Sequence, residues 1–112
     1  MEPIDFQGLR ILDYTANLDG RSSFAVITVP PGSAHGEAWS KRSDKYYYMV
    51  TGEVEFTLDG QCQVLSAGDF CIVPKGQRFS YVNSGSAAAE LVLVHTPCFD
   101  LNSEVFVDTP GE

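Results

Sequence analysis

With 112 residues, the chain has room for one hydrophobic core and not for two independent ones, so a single domain over 1–112 is expected. Apolar residues make up 44% and charged residues 20%, the composition of a globular fold. Fifteen acidic against seven basic side chains give a net charge of −8 with no basic cluster beyond Lys41-Arg42, which excludes nucleic acid and anionic membrane as expected partners.

In chain order, Leu9, Ile11 and Leu12 suggest an N-terminal strand ahead of a core barrel over about 22–97. Turn signals follow at Asp19-Gly20, Pro31-Gly32, Thr51-Gly52, Asp59-Gly60, Ala67-Gly68-Asp69, Lys75-Gly76 and Asn83-Ser84-Gly85. Between them lie short β-branched and aromatic runs: Phe24 to Val29, Tyr46 to Val50, Glu53 to Leu58, Phe70 to Val73, Phe79 to Val82 and Glu90 to His95. Short strands at this spacing, with no sustained helical period, predict an all-β domain. The alternation of Glu53-Val54-Glu55-Phe56-Thr57-Leu58 sends Val54, Phe56 and Leu58 inward, and Asp59-Gly60 closes a hairpin behind it. Ser33 to Glu37 and Ser84 to Ala89 read as loops. The apolar tail, with Phe99, Leu101, Val105, Phe106 and Val107, is expected to pack on its own barrel or on a partner's.

Met1 to Asp5 carry neither the basic region nor the apolar run of a secretory signal, and the aliphatic run Leu91 to Val94 is too short to span a bilayer. A cytoplasmic protein is expected. Cys62, Cys71 and Cys98 are odd in number and show no zinc-cage spacing, so they read as idle or buried thiols.

The segment from Gly68 through Pro74, Gly76 and Phe79 to Asn83 resembles the second motif of the cupin superfamily, Gly-x5-Pro-x-Gly-x2-His-x3-Asn, with Phe in place of the His. Upstream, Gly32-x5-Ala38-x-Ser40-x4-Lys45-x6-Gly52 fits the first motif, Gly-x5-His-x-His-x4-Glu-x6-Gly, with both glycines in register. The resemblance implies a cupin double-stranded β-helix, a jelly-roll-like barrel of two antiparallel sheets, and pairing into a homodimer. It also implies that the four metal-ligand positions read Ala38, Ser40, Lys45 and Phe79, none of them a credible donor, with a lysine ammonium where a carboxylate stands. No metal and no other cofactor is therefore expected.

Motif register and strand alternation point Lys45, Tyr47, Met49, Phe79 and Tyr81 into the barrel, and the final strand offers His95. Desolvation would lower the Lys45 pKa, making it a base, a Schiff-base nucleophile or an anchor for an anionic ligand. The alternative for Lys45 is a pair with Asp44 or a swing to the barrel mouth. His95 suggests proton transfer, or else a structural role; His35 reads as a mouth or surface residue, and Trp39 points outward.

The expected site is thus His95, Lys45 and Tyr47 as the catalytic groups, with Ser40, Met49, Phe79 and Tyr81 against the substrate. Metal-independent isomerase, cyclase or lyase chemistry on a small, partly apolar molecule is one reading. A non-catalytic binding or sensing module is the second, and a metal held by displaced donors such as His35, Glu37 and His95 is the third.

Overall fold

The computed structural model describes residues 1–16, 18 and 20–107. Eleven strands are present among them: β1 (Ile4–Phe6), β2 (Leu9–Asp13), β3 (Ser23–Val29), β4 (Ala34–Ser40), β5 (Asp44–Thr51), β6 (Glu53–Leu58), β7 (Gln61–Ser66), β8 (Phe70–Val73), β9 (Phe79–Val82), β10 (Ala89–Thr96) and β11 (Glu104–Phe106). They form a six-stranded sheet in the order β1-β2-β3-β10-β5-β8 and a five-stranded sheet in the order β11-β4-β9-β6-β7, with every pairing antiparallel. This is the all-β, two-sheet architecture that the motif frames imply. A single 3-10 turn, Leu101–Ser103, is the only helical element among the described residues. None of these elements is a helix long and apolar enough to cross a membrane.

The strands form where side chains alternate. Val54 and Phe56 of β6, Tyr47 and Met49 of β5, and Leu91 and Leu93 of β10 are buried between the sheets with Val29 and Val73. Burying these faces drives the fold, and the period of two leaves the intervening side chains on the outer surface. The Asp59-Gly60 turn has both residues at positive φ, 52° and 82°, as a two-residue hairpin of matching twist demands. Gly52 is required for a further reason: its φ is +73°, and a Cβ there would lie 2.9 Å from Ala89 Cα, so the chain can cross β10 only with a glycine.

Four strands are not signalled by the hydrophobic runs. β1 and β11 have three residues each, β7 shows mostly exposed side chains, and β4 was expected to begin as a loop. β4 instead pairs with β9 from Ala34 to Ala38, with one extra residue on its side: Tyr81 opposes His35 and Phe79 opposes Ala38. Ser80 of β9 thus faces both Gly36 and Glu37 of β4, a β-bulge. The tail packs on its own barrel, β11 extending the second sheet against β4. The Asp19-Gly20 turn falls partly outside the described residues, and the fold beyond Val107 is not described.

Candidate functional site

Lys45 on β5 and His95 on β10 are direct cross-strand partners. Their side chains enter the barrel together, and Lys45 Nζ lies 2.8 Å from His95 Nε2. The third member comes from the tail: Glu104, opposite Ser40 across β11 and β4, brings Oε1 to 2.5 Å from Lys45 Nζ. The side chains of Lys45 and Glu104 are only 3% and 4% exposed, so this is a buried ion pair. Lys45 Nζ also stands 5.4 Å from the centre of the Phe79 ring, within cation–π range. Lys45 therefore pairs with neither Asp44 nor the solvent; the Asp44 carboxylate accepts from the Lys75 amide.

This cluster borders a cavity of about 280 Å³ between the sheets. Ile11, Ala25, Ile27 and Leu93 line it from the six-stranded sheet, while Ile4 and Phe6 of β1 and Phe99, Leu101 and Phe106 of the tail also line it. The tail segment is anchored several times over: Ser43 Oγ donates to Pro97 O at 2.7 Å, Arg42 Nη2 donates to Cys98 O at 3.0 Å, and the Phe99 amide donates to Ser23 Oγ. The polar lining is Asp13, Ser23, His35, Lys45, Tyr47, Tyr81, His95 and Glu104.

His35 belongs to this lining because of the bulge. Counting alternately back from Ala38 and Ser40 turns it outward; the extra residue reverses the phase and sets it opposite inward-facing Tyr81. Its ring packs 5.0 Å from Phe79, 5.3 Å from Tyr81 and 5.4 Å from Phe6, centre to centre. Nδ1 lies 2.7 Å from the Gly36 carbonyl, which accepts only, so Nδ1 carries the proton and the Nε2 lone pair is left on the other side of the ring. His35 is therefore a wall residue and not the mouth or surface residue expected from the sequence, and Glu104, set within an apolar tail, carries no signal there.

Burial tunes these groups. Desolvation lowers the His95 pKa to about 3, with the Lys45 charge adding to the effect. Desolvation also lowers the His35 pKa, against the opposing pull of the Gly36 hydrogen bond. The Lys45 pKa is lowered by burial, with Glu104 resisting. Tyr47 and Tyr81 are pushed up by burial and stay protonated. Two buried polar atoms have no hydrogen-bond partner among the described residues, the Tyr81 hydroxyl and Glu104 Oε2.

Of the residues expected against the substrate, Tyr81 lines the cavity and the other three do not. Ser40 Oγ accepts from the Ser43 amide at 2.9 Å and from the Arg42 amide at 3.2 Å, so it organises the β4–β5 turn. Met49 is fully buried in the hydrophobic core, and Phe79 packs against His35 and Phe56 with Lys45 Nζ over its ring. Trp39 is half-buried and opposes Val105 of its own chain.

The family's metal does not fit this donor set. Ala38 and Phe79 offer no donor atom, Ser40 Oγ is engaged with two amides, and Lys45 places a cation inside the site. Displaced donors fare no better: Glu37 is exposed and paired with Arg78 at 3.1 Å, and no three His, Cys, Asp or Glu side chains gather as a metal site among the described residues.

Similar proteins agree on the fold. A family model described as the cupin domain matches residues 25–95. The chain is 32% identical over 78 residues to endoribonuclease YbeY of Myxococcus xanthus, covering 70% of this chain and 26% of that protein. It is 32% identical over 71 residues to the oxalate-binding protein of Thermotoga maritima, covering 63% of this chain and 59% of that one. The chain thus spans less than two thirds of either relative. Among solved structures, Streptomyces PAC13, a nucleoside dehydratase, superposes in a His-to-Gln variant holding uridine with a TM-score of 0.83 and 26% identity, covering 96% of this chain and 84% of that chain. Two of its Tyr-to-Phe variants are also solved with uridine. With the family model spanning most of the barrel and both motif frames seated in the two sheets, the chain belongs to the cupin family.

Proposed function

We propose that the protein is a metal-independent enzyme that moves a proton on a small, partly apolar organic molecule held in the cavity, with elimination of water as the reaction. The observation that carries this reading is His35, a neutral imidazole whose tautomer is set by the Gly36 carbonyl, packed among aromatic rings on the wall of an apolar cavity. Elimination needs a base for a C–H proton and an acid for the departing oxygen. His35 Nε2 takes the proton as the C–H bond breaks. Lys45, an ammonium made more acidic by burial, returns one to the oxygen as the C–O bond breaks, so that water leaves. Tyr47, kept protonated, donates a hydrogen bond that orients the substrate. His95 holds Lys45 in place through Nε2.

The kinship with PAC13 supports this class of reaction, since that dehydratase has been solved with uridine in variants at one His and two Tyr, and His35, Tyr47 and Tyr81 line the present cavity. A panel of nucleosides and uncharged β-hydroxy carbonyl compounds, followed by NMR in deuterium oxide, tests it. Solvent deuterium should enter the acidic C–H position and water should be lost, and both should stop in a folded His35→Gln variant. Saturable binding with neither exchange nor water loss would instead favour the binding-module reading.

A further inference from the structure

We infer that Glu104 sets the ligand's charge: the cavity takes an uncharged, hydroxyl-bearing molecule and rejects anions, although a lysine stands in its wall. The inference rests on the small-molecule reading of the cavity given above and names the class of molecule. A buried lysine in a pocket ordinarily reads as an anchor for a carboxylate or phosphate. Here the ammonium is already neutralised by Glu104 Oε1 at 2.5 Å and takes a second partner in His95 Nε2 at 2.8 Å. An entering anion would meet a neutral pair, the second oxygen of the Glu104 carboxylate, and the Asp13 carboxylate on the same lining. In a low-dielectric interior the two carboxylates oppose the anion, and its own desolvation is not compensated.

The atoms left unpaired specify what does bind. Among the described residues, Glu104 Oε2, which accepts only, is buried without a donor and the Tyr81 hydroxyl is buried without a partner, and burial keeps that hydroxyl protonated. An unpaired buried polar atom is costly, and a ligand that supplies the missing partner recovers that cost on binding. Glu104 Oε2 therefore calls for an O–H or N–H donor, and Tyr81 for a carbonyl, ether or hydroxyl oxygen. An uncharged polyol supplies both kinds of partner, while the apolar walls accept its apolar part. The chemistry separates this cavity from one that selects a dianion by discriminating against it, not merely by failing to contact it.

Two probes decide the matter, uridine as the uncharged polyol and oxalate as the small dianion, each titrated by calorimetry into wild type, Glu104→Gln and the Lys45→Met/Glu104→Gln double variant. Wild type should bind uridine at least tenfold more tightly than oxalate. Glu104→Gln frees the Lys45 charge and should gain at least tenfold in oxalate affinity, and the double variant, neutral again, should lose that gain. Wild type binding oxalate as tightly as uridine, or Glu104→Gln gaining no oxalate affinity, overturns the inference. Should Glu104→Gln not fold, the wild-type preference alone decides it. Loss of the proposed enzymatic role looks different: wild type then shows the uridine preference without deuterium exchange on any substrate.

Discussion

Lys45 and Glu104 stand 59 residues apart in the chain and 2.5 Å apart in the barrel, where together they form a buried ion pair at the border of the cavity. Removing one partner strands the other's charge in the interior. Lys45→Met or Glu104→Gln alone should lower stability by about 3–5 kcal/mol, while Lys45→Met/Glu104→Gln should recover much of that loss. Urea unfolding of the four proteins checks the cycle; additive single effects would show that the pair contributes no coupling.

Acid should destabilise the protein in a range set by its histidines. The His95 pKa falls from its ordinary 6.5 to about 3 in the folded state, and that of His35 is also lowered. Between these values the unfolded chain binds more protons, so stability is full above about pH 6.5 and declines as pH falls toward 3. Each histidine contributes a slope of up to about 1.4 kcal/mol per pH unit. Unfolding free energies across pH 4–7 should flatten in His95→Asn relative to wild type; an unchanged slope would mean that His95 is not neutral in the fold.

Turnover should have its own acid limb. Protonation of His35 removes the proposed base, and because burial lowers its pKa, kcat/KM should hold at neutral pH and fall only below the ordinary imidazole range. His35→Gln should reduce the rate by about 10²–10⁴-fold, the range for loss of a general base, with folding intact by circular dichroism.

Metal removal should leave the protein unaffected. The buried positions 38, 40, 45 and 79 present Ala, Ser, Lys and Phe, so elemental analysis should find well under one iron, manganese, nickel or zinc per chain, and chelation should not change turnover. A stoichiometric ion would overturn the proposed metal-free chemistry.

The outer face of the six-stranded sheet is expected to pair two copies. The tail covers its own barrel and gives no ground for an interface. Phe24, Tyr46, Tyr48, Val50, Phe70 and Ile72, however, are exposed together across β3, β5 and β8. They stand in register around Val92 and Val94: Tyr48 between Val92 and Phe70, and Tyr46 between Val94 and Ile72. This is on the order of 600 Å² of apolar surface, the upper end of what monomers leave uncovered and near the roughly 800 Å² per partner of a stable interface. Light scattering should report a dimer that Tyr48→Glu/Phe70→Lys converts to a monomer; a monomeric wild type at micromolar concentration would remove the expectation.

The sequence by itself determined the barrel. Alternation in β5, β6 and β10 fixes which side chains are buried, because a strand has no other way to present two faces. The Asp59-Gly60 turn and Gly52 mark where the backbone must take positive φ. The same rule of two carries Lys45, Tyr47 and Tyr81 inward, since each lies on a stretch of strand without a register shift, and the final strand brings His95 beside Lys45. It failed at His35, where one extra residue at Gly36-Glu37 reverses the phase, and a bulge is defined by the partner strand, not by its own sequence. It gave no sign of Glu104, whose place depends on the tail turning at Leu101–Ser103 and pairing with β4. It also could not distinguish the inward positions that border space from those packed solid, so Met49 and Phe79 were expected on a wall that they do not reach. Only the tertiary structure decided these, because a cavity and a buried ion pair are relations between segments that meet through folding and share no local signal.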